Sequence, residues 1–475
     1  MIIKTRFAPS PTGYLHIGSI RTALFSWLFA KRKKGKFVFR IEDTDCKRLK
    51  KNSIKSIINS MKWLNIDWDE GPYFQTLRLK RYQSVINKMI LNGKAYKCYC
   101  SIKRLENLRK KQILLGKKPK YDGFCKKNIK YFKNKNYVVR FNNPKTGSVI
   151  FKDIIRGKIE FKNKELDDVI LQRTNGSFTY NFCVVIDDLD MKISHIIRGE
   201  DHINNTPRQI NIMKSINAPI PFYAHLPIIL NNNGKKLSKR DNSLNILKFK
   251  DEGFLPEALL NNIVRQGWSH KNKEIFSIYE MKKLFNLDCI SKSSSFFNIK
   301  KLIWLNHFYI KNLPNKIIID NLLCNLKKEK ININLGPKIY NIVNILKQNC
   351  KTLKDMTYKC RYFYEDFKNF NKEDSIKYLN ILNLKILNKI LNKIYKIKDW
   401  NKDNIKNAIY ETSYDLGVKF NAISMPLRVA VTGSKCSPSI DITIYEIGKI
   451  RSIYRIEFAI NFIIKNQSLN NFKKN

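Results

Sequence analysis

The first forty residues alternate between apolar runs and a loop, in an order that predicts a parallel sheet. The run IIKTRFA at 2–8 is short enough for a strand, and the run KFVFRIE at 36–42 is long enough for a buried one. Between them, from about Gly18 to Lys34, apolar residues recur on one helical face, and KRKK then places cations at the negative end of the helix dipole. The apolar face comprises Ile20, Ala23, Leu24, Trp27 and Leu28. Strand, helix and strand in this order predict a parallel βαβ unit.

The pattern changes three times along the rest of the chain. Residues 97–190 are less regular, with Gly/Asn turns and short runs such as YVVRF and SVIFKDII, and they predict an inserted α+β domain. Strand-then-helix character returns at 191–309, and beyond about 310 the pattern is mostly helical. There one stripe predicts the core of a helical bundle. It consists of Leu387, Ile390, Leu391, Ile394 and Ile397. We therefore predict four parts: 1–96, 97–190, 191–309 and 310–475.

Composition narrows the class of protein. Hydrophobic residues make up 43% of the 475, which indicates a folded chain, and no apolar run approaches the roughly 20 residues that cross a bilayer. The first strand leaves no room for a targeting peptide, so we expect a cytoplasmic protein that does not associate with a membrane. The formal net charge of +51 attracts polyanions such as nucleic acid, although part of it reflects a bias to Lys, Asn and Ile typical of an AT-rich gene. The charge permits an RNA partner without proving one.

Two loops hold candidate chemistry. RFAPSPTGYLHIGS (6–19) joins the first strand to the first helix, whose opening N–H groups form an anion site; His16 can donate to a phosphate, and glycines let backbone approach a ligand. The loop lacks G-x-G-x-x-G, which argues against a dinucleotide. KKLSKR (235–240) carries Lys236 and Lys239 in a stretch rich in Asn and Gly that we expect to be mobile. Two ammonium groups there suit a leaving pyrophosphate, although in so lysine-rich a chain this pair alone more often marks solvated surface.

Together these loops resemble the HIGH and KMSKS signatures of class I aminoacyl-tRNA synthetases. The surrounding sequence resembles that of the bacterial-type glutamyl-tRNA synthetase family. The segments that carry the resemblance are RFAPSPTGYLHIGSIRTALFSWLFAK, FRIEDTD, YNFCVVIDDLDMKISHIIRGEDHINNTPRQ, YAHLPIIL, GFLPEALLN, MPLRVAVTG and SPSIDITIYEIGK. The resemblance spans the chain nearly end to end. Ser19 stands at the fourth HIGH position, which varies in the glutamyl branch.

The resemblance implies a fold and an activity. The fold is a Rossmann-type parallel-sheet catalytic domain (1–96 and 191–309, the second half carrying the KMSKS-like loop and a stem-contact region), an inserted acceptor-binding α+β domain (97–190), and an all-α anticodon-binding region (310–475). The activity is ATP-dependent conversion of L-glutamate to glutamyl-adenylate, followed by transfer to the 3′-terminal adenosine of tRNA(Glu). ATP is then a substrate and Mg²⁺ a cofactor. We expect a monomer.

The resemblance also implies residues for each substrate. Arg6 and Arg198 would grip the γ-carboxylate of glutamate, and Glu42 would hold its α-ammonium. The full glutamate set is Arg6, Ala8, Ser10, Glu42, Tyr180 and Arg198. The ATP set is Pro9, Ser10, His16, Gly18, Ser19, Asp201 and Lys239. The catalytic set is His16, Gly18, Lys236 and Lys239.

The histidines other than His16 need separate treatment. His202 lies near the expected nucleotide, and it could equally be a packed residue that supports the pocket. The remaining ones we expect to be structural; they are His195, His225, His270 and His307.

Three cysteines resemble a zinc cluster found in some family members, C-x-C…C-x-H. They are Cys98, Cys100 and Cys125, and Lys127 holds the last ligand position. An ammonium is no zinc ligand, so we expect three reduced thiols and no bound metal, although Asp122 or Tyr131 could substitute.

Two other functions stay open at this point. The first is an RNA-binding or regulatory paralogue without the chemistry, which the intact loops and pocket arginines disfavour. The second is a related ligase for glutamine or for a modified tRNA base; the helical tail disfavours the short base-modifying relatives. Arg428, in MPLRVAVTG, lies in a segment that the family uses near the anticodon, but it identifies no base contact. Whether tRNA(Gln) is also charged with glutamate stays open too.

Overall fold

The computed structural model describes residues 2–44, 52–127, 136–231, 234 and 245–472. Contacts divide the chain into two units. The first comprises Met1–Lys250 and Pro256–Leu305, and the second comprises Asp251–Leu255 and Asn306–Asn475. The four-part division at 96/97, 190/191 and 309/310 stays a prediction. Among the described residues, no helix combines the length and the apolar character that crossing a membrane requires.

The βαβ unit predicted at the start of the chain is present. Strand β1 (Lys4–Phe7), helix α1 (Ile17–Arg32) and strand β2 (Lys36–Ile41) follow one another, and β1 and β2 pair in parallel. The turn from α1 to β2 requires glycine at Gly35, because a Cβ there would lie 2.1 Å from the carbonyl oxygen of Ile3. The middle position of β2 explains its continuous apolar run. On its other side it pairs in parallel with β3 (Glu70–Phe74), after α2 (Ser53–Trp63).

Helix α1 is buried on more than the one face that its pattern predicts. The predicted stripe is buried, but so are Phe25, Ser26 and Phe29 on other sides of the helix. The ring centroid of Phe25, for example, lies 4.9 Å from that of Phe285. A helix packed between a sheet and further helices buries almost its whole surface, and the strongest stripe reports only one of those contacts.

A second group of strands extends the sheet beside β1. Strands β9 (His195–Gly199) and β10 (Phe222–Leu226) pair in parallel, and β10 also runs parallel to β6 (Ser148–Asp153), which pairs antiparallel with β7 (Gly157–Lys162). The N–H of Ser194 donates to the carbonyl of Lys4 at 2.9 Å, which places β9 next to β1. The carboxyl ends of β1, β2, β9 and β10 therefore meet at one edge.

The other elements of the first unit cover this sheet or stand beside it. An antiparallel sheet is formed by β4 (Ala95–Cys98), β5 (Val138–Phe141) and β8 (Ile170–Gln172). The helices are α3 (Leu79–Leu91), α4 (Ile102–Leu114), α5 (Phe124–Lys127), α6 (Tyr180–Asp190), α7 (Thr206–Ser215), α8 (Ile246–Asp251), α9 (Pro256–Val264) and α10 (Ile278–Leu284). Two short strands, β11 (Ile229–Leu230) and β12 (Ser295–Phe296), pair in parallel. One hydrophobic core lies between α3, α6, α7 and the antiparallel sheet, and another lies beneath β2, β6, β9 and β10.

The second unit is helical in its described residues, as predicted. Its helices follow α11 (Ile299–Asn312), which begins in the first unit. They are α12 (Asn315–Lys328), α13 (Ile339–Leu346), α14 (Leu353–Tyr364), α15 (Lys372–Tyr378), α16 (Leu384–Lys396), α17 (Lys402–Asp415), α18 (Phe420–Thr432), α19 (Ile440–Ile447) and α20 (Lys449–Phe472). The predicted stripe on α16 is core at four positions, whereas Ile397 follows the end of the helix and is half-buried. Buried Arg455 of α20 donates to the carbonyls of Val431 (2.7 Å) and Glu365 (2.9 Å), which ties α20 to the ends of two neighbouring helices.

Candidate active site

A cavity of about 800 Å³ opens where the parallel strands end. Its walls are the loop after β1, the start of α1 and the residues that follow β2, β9 and β10. This is the edge at which open parallel sheets bind ligands, because the loops there bring backbone and side chains from several strands together. All the predicted pocket residues that the structure describes line the cavity. They are Arg6, Ala8, Pro9, Ser10, His16, Gly18, Ser19, Glu42, Tyr180, Arg198 and Asp201. Lys236 and Lys239 lie outside the described residues.

The start of α1 forms the anion-binding end of the cavity. The carbonyl of His16 accepts from the N–H groups of Ser19 (2.9 Å) and Ile20 (3.1 Å), so the N–H groups of Ile17 and Gly18 have no acceptor within the helix. No acidic residue stands in the first turn. The helix dipole and these donors therefore favour a negative group in the cavity.

The two glycines of the stretch 6–19 differ in whether the protein's own structure requires glycine at that position. A Cβ at Gly18 would lie 3.0 Å from the imidazole carbon Cε1 of His16, so a larger residue would displace that side chain. A Cβ at Gly13 would meet nothing within 4 Å, so the chain itself does not require glycine there. The loop is held at its middle by Glu42, whose N–H donates to the carbonyl of Pro9 at 3.0 Å.

A buried charge network lies behind Glu42. Arg40, fully buried in β2, donates from Nη1 to Asp188 Oδ1 at 2.8 Å and from Nη2 to Glu42 Oε1 at 3.3 Å. Asp188 also accepts from Nε of Arg6 at 3.3 Å. Burial raises the pKa of Glu42 to about 7, against the opposing charges of Arg40 and Arg6. The charge of Arg6 therefore already has a carboxylate partner within the protein.

Arg198 has a different environment. The residue is 5% exposed, and its donors reach His225 Nε2 (3.2 Å), Gln209 Oε1 (2.8 Å) and Thr206 Oγ1 (2.7 Å). All three acceptors are neutral groups, and no carboxylate of the described residues forms an ion pair with this guanidinium. A buried cation without a counter-charge is costly unless a ligand supplies one.

Tyr180 and His202 form one wall of the cavity together. The Tyr180 hydroxyl lies 3.1 Å from Nδ1 of His202, and the two rings are 5.5 Å apart. Burial, together with the positive charge of Arg198, lowers the pKa of His202 to about 4, so its imidazole is neutral near pH 7. His202 thus both lines the cavity and packs against a predicted substrate-binding residue. Asp201, beside it, is largely exposed.

Several residues with direct contacts to this site are absent from the sequence-based sets, including the three partners of Arg198 and the Arg40 that pairs with Glu42. Asp188 joins Arg6 and Arg40, His225 contacts Arg198, and Arg21 of α1 donates to the carbonyls of Gln266 and Pro227. The available signal was a charged residue inside an otherwise apolar helix or strand, since such residues are rarely buried without a defined partner. Such a pattern indicates which residue needs a partner, but it does not predict which residue that partner is.

The three cysteines lie together, and a tyrosine faces them. The sulfurs of Cys98, Cys100 and Cys125 all lie within 4.8 Å of one another, and Tyr121 Oη is 3.4 Å from Cys98 Sγ and 3.5 Å from Cys100 Sγ. Structural zinc takes four donors, ordinarily thiolate, imidazole or carboxylate. The described residues supply three thiols, and the Tyr121 hydroxyl is an oxygen within reach of two of them. Asp122 pairs with Arg104 instead. Tyr131 and the side chain of Lys127 lie outside the described residues, and the absence of zinc stays a prediction.

Comparisons with known proteins agree with this architecture. Residues 2–304 match the family model of tRNA synthetases class I (E and Q), catalytic domain, and residues 319–460 match that of an anticodon binding domain. A crystal structure of a glutamate tRNA ligase from Elizabethkingia meningosepticum is similar with a TM-score of 0.84 and 29% identity, covering 98% of this chain and 100% of that one. A glutamate-tRNA synthetase from Elizabethkingia anophelis is similar with a TM-score of 0.80 and 29% identity, covering 97% and 100%. The enzyme class and the fold class predicted from the motifs are confirmed. The chain belongs to the tRNA synthetases of class I (E and Q).

Proposed function

We propose that this protein is a glutamate–tRNA ligase, which activates L-glutamate with ATP and transfers it to the 3′-terminal adenosine of tRNA(Glu). The observation that carries the proposal is the buried guanidinium of Arg198, which lines the cavity and has only neutral acceptors among the described residues. A substrate carboxylate supplies the missing charge in a bidentate geometry. Two structural relatives described as a glutamate tRNA ligase and a glutamate-tRNA synthetase support the same substrate.

In this proposal the cavity distinguishes glutamate from glutamine by charge. Arg198 and Arg6 bind the γ-carboxylate, and the ionised carboxylate of Glu42 binds the α-ammonium. Glutamine has the same shape but no charge, so it would leave the guanidinium of Arg198 uncompensated in a buried site. Ser10 and Tyr180 contribute hydrogen bonds, and Ala8 contributes backbone, at the rim of the same space.

ATP would occupy the end of the cavity at the start of α1. The N–H groups of Ile17 and Gly18 and the side chain of His16 face the phosphates, with Pro9, Ser10, Ser19 and Asp201 around the nucleotide. Lys236 and Lys239 bind the β- and γ-phosphates as they leave. The carboxylates among the described lining residues are Glu42 and Asp201, so Mg²⁺ would be held chiefly by the phosphates and water.

The chemistry requires no covalent intermediate on the protein. An α-carboxylate oxygen of glutamate attacks the α-phosphorus of ATP; the new P–O bond forms as the bond to the bridging oxygen breaks, and pyrophosphate leaves. The 2′-hydroxyl of the terminal ribose then attacks the acyl carbon, its proton is lost, and AMP leaves with the former carboxylate oxygen. The site contributes orientation and stabilisation of the negative charge that develops on the phosphates.

The tRNA and the cellular setting complete the proposal. The helical unit binds the anticodon, and each of the four predicted domains has the role that the resemblance implies for it. Arg428 there donates to the carbonyl of Ser437 at 2.6 Å, so its guanidinium already has a partner within the unit. We propose a cytoplasmic monomer. Light scattering of the purified protein, alone and with tRNA, tests the oligomeric state.

The deciding experiment is ATP–pyrophosphate exchange with glutamate or glutamine, with and without purified tRNA(Glu), followed by charging of tRNA(Glu) and tRNA(Gln). We expect exchange with glutamate that depends on tRNA, and charging of tRNA(Glu). Exchange with glutamine and none with glutamate would show that glutamine is the substrate instead. If no exchange occurs under any condition while tRNA still binds, the protein is an RNA-binding paralogue without the enzymatic activity.

A further inference from the structure

A buried carboxylate and a buried imidazole stand behind Arg198. Asp153 ends β6 and His225 lies on β10; the side chains of both are fully buried. Nδ1 of His225 lies 2.6 Å from Oδ2 of Asp153. On the opposite edge of the ring, Nε2 lies 3.2 Å from Nε of Arg198. The three side chains form a continuous series from β6 through β10 to β9.

The geometry allows one protonation state of the ring. Nε of Arg198 can only donate, so Nε2 of His225 must present its lone pair, and the ring proton stands on Nδ1 and is donated to Asp153. Burial lowers the pKa of His225; Arg198 and Arg6 add to that effect, and Asp153 opposes it. The ring is therefore neutral, and it accepts from Arg198 without neutralising its charge.

Asp153 is occupied elsewhere and is not a counter-ion of Arg198. Its Oδ1 accepts from the N–H groups of Ile155 (2.9 Å) and Arg156 (2.8 Å), and its Oδ2 accepts from the N–H and the ring of His225. Burial works against ionisation, but the bonds from His225 and from the backbone of Arg156 keep the pKa of Asp153 below its ordinary value. The carboxylate thus fixes the ring, and the ring lies between the carboxylate and the guanidinium.

We propose that Asp153 and His225 are positioning residues, which hold the Arg198 guanidinium towards the cavity without compensating its charge and so set the preference for glutamate over glutamine. The inference rests on the proposed function. A charged partner in place of the imidazole would compensate the guanidinium internally, as Asp188 does for Arg6. An apolar partner would leave its Nε–H without an acceptor and its orientation unfixed.

Two substitutions of His225 separate its two bonds. His225→Asn can still donate to Asp153 but has no atom near the place of Nε2, whereas His225→Gln can put Oε1 there and accept from Arg198. His195→Asn is the matched control, because His195 lies on the neighbouring strand at the end remote from the cavity, where its ring stacks on Phe222. Asp153→Asn is the second variant should His225→Asn fail to fold. It places an amide NH2 against either the ring or the backbone N–H groups that the carboxylate now accepts from, and so it weakens the fixation of the ring.

The measurements are KM for glutamate and for ATP in tRNA-dependent exchange, and the ratio of kcat/KM for glutamate to that for glutamine. We expect His225→Asn to raise KM for glutamate about tenfold or more, to lower the ratio to a similar extent, and to leave KM for ATP within about twofold. In His225→Gln the KM for glutamate should lie closer to the wild-type value, and in His195→Asn it should equal the wild-type value. Asp153→Asn should raise KM for glutamate and leave KM for ATP unchanged.

Three results would overturn the inference. An unchanged KM for glutamate in His225→Asn (or in Asp153→Asn, where that variant replaces it) removes the positioning role. An equal rise of KM for glutamate and ATP indicates a general structural role. Wild-type protein that shows no glutamate-dependent exchange, even with tRNA, contradicts the proposed function itself and takes the inference with it.

Discussion

Replacement of Arg198 by glutamine tests the charge argument most directly. The guanidinium is 5% exposed and its three partners in the described chain are neutral, so the substrate carboxylate is its counter-charge. Two opposite charges about 4 Å apart at an effective dielectric constant of about 20 attract by about 4 kcal/mol. If that attraction is present in the transition state, its loss lowers kcat/KM for glutamate about a thousandfold.

The assay is tRNA-dependent ATP–pyrophosphate exchange over a range of glutamate concentrations, with ATP saturating. Arg198→Lys is the matched variant: it keeps the charge but not the planar fork, so its loss should be intermediate. Thermal unfolding followed by circular dichroism should change little in Arg198→Gln, because the buried charge that is removed has no ionic partner among the described residues. A kcat/KM for glutamate within about threefold of wild type in Arg198→Gln would refute the assignment of the carboxylate to this residue.

Further expectations concern other parts of the same unit. Because burial raises the pKa of Glu42 to about 7 and only its ionised form attracts an α-ammonium, kcat/KM for glutamate should rise with pH up to about 7 and then level off; a profile that is flat from pH 5.5 to 8, or one that Glu42→Gln reproduces, would exclude this role. Asp188→Asn removes the carboxylate that two buried arginines share and should lower the free energy of unfolding by about 3–5 kcal/mol in urea titrations. The control Asp167→Asn, at a partly exposed pair, should cost about 1 kcal/mol or less, and equal losses would contradict the difference in burial. Lys239→Ala should lower kcat of exchange while KM for glutamate stays unchanged, and an unaltered kcat would remove this lysine from pyrophosphate release. Metal analysis of protein purified under reducing conditions should find no stoichiometric zinc; if zinc is present, Tyr121→Phe should lower its content, and unchanged content would exclude that oxygen as a ligand.

The cavity residues that the sequence identified belong to short, local stretches. Arg6 lies in β1, His16 ends the loop that follows it and Gly18 lies in the first turn of α1, while Glu42 follows the next strand in the same βαβ unit. Order along the chain brings such residues to one sheet edge, so a motif is enough to group them. The burial of α1 on almost every side was not predicted, because a stripe in the sequence says nothing about how many neighbours pack on the helix.

The sequence by itself determined the parallel βαβ start, the helical character of the C-terminal unit, the enzyme family and a part of the cavity lining. Only the tertiary structure decided which charges are compensated. Asp188 reaches Arg6 across 182 residues and Arg40 across 148, and His225 reaches Arg198 from the adjacent strand. The physical reason is that local preferences act over a few residues, whereas the electrostatics of a buried charge depend on whichever distant segment packs against it, and strand order and register set that contact.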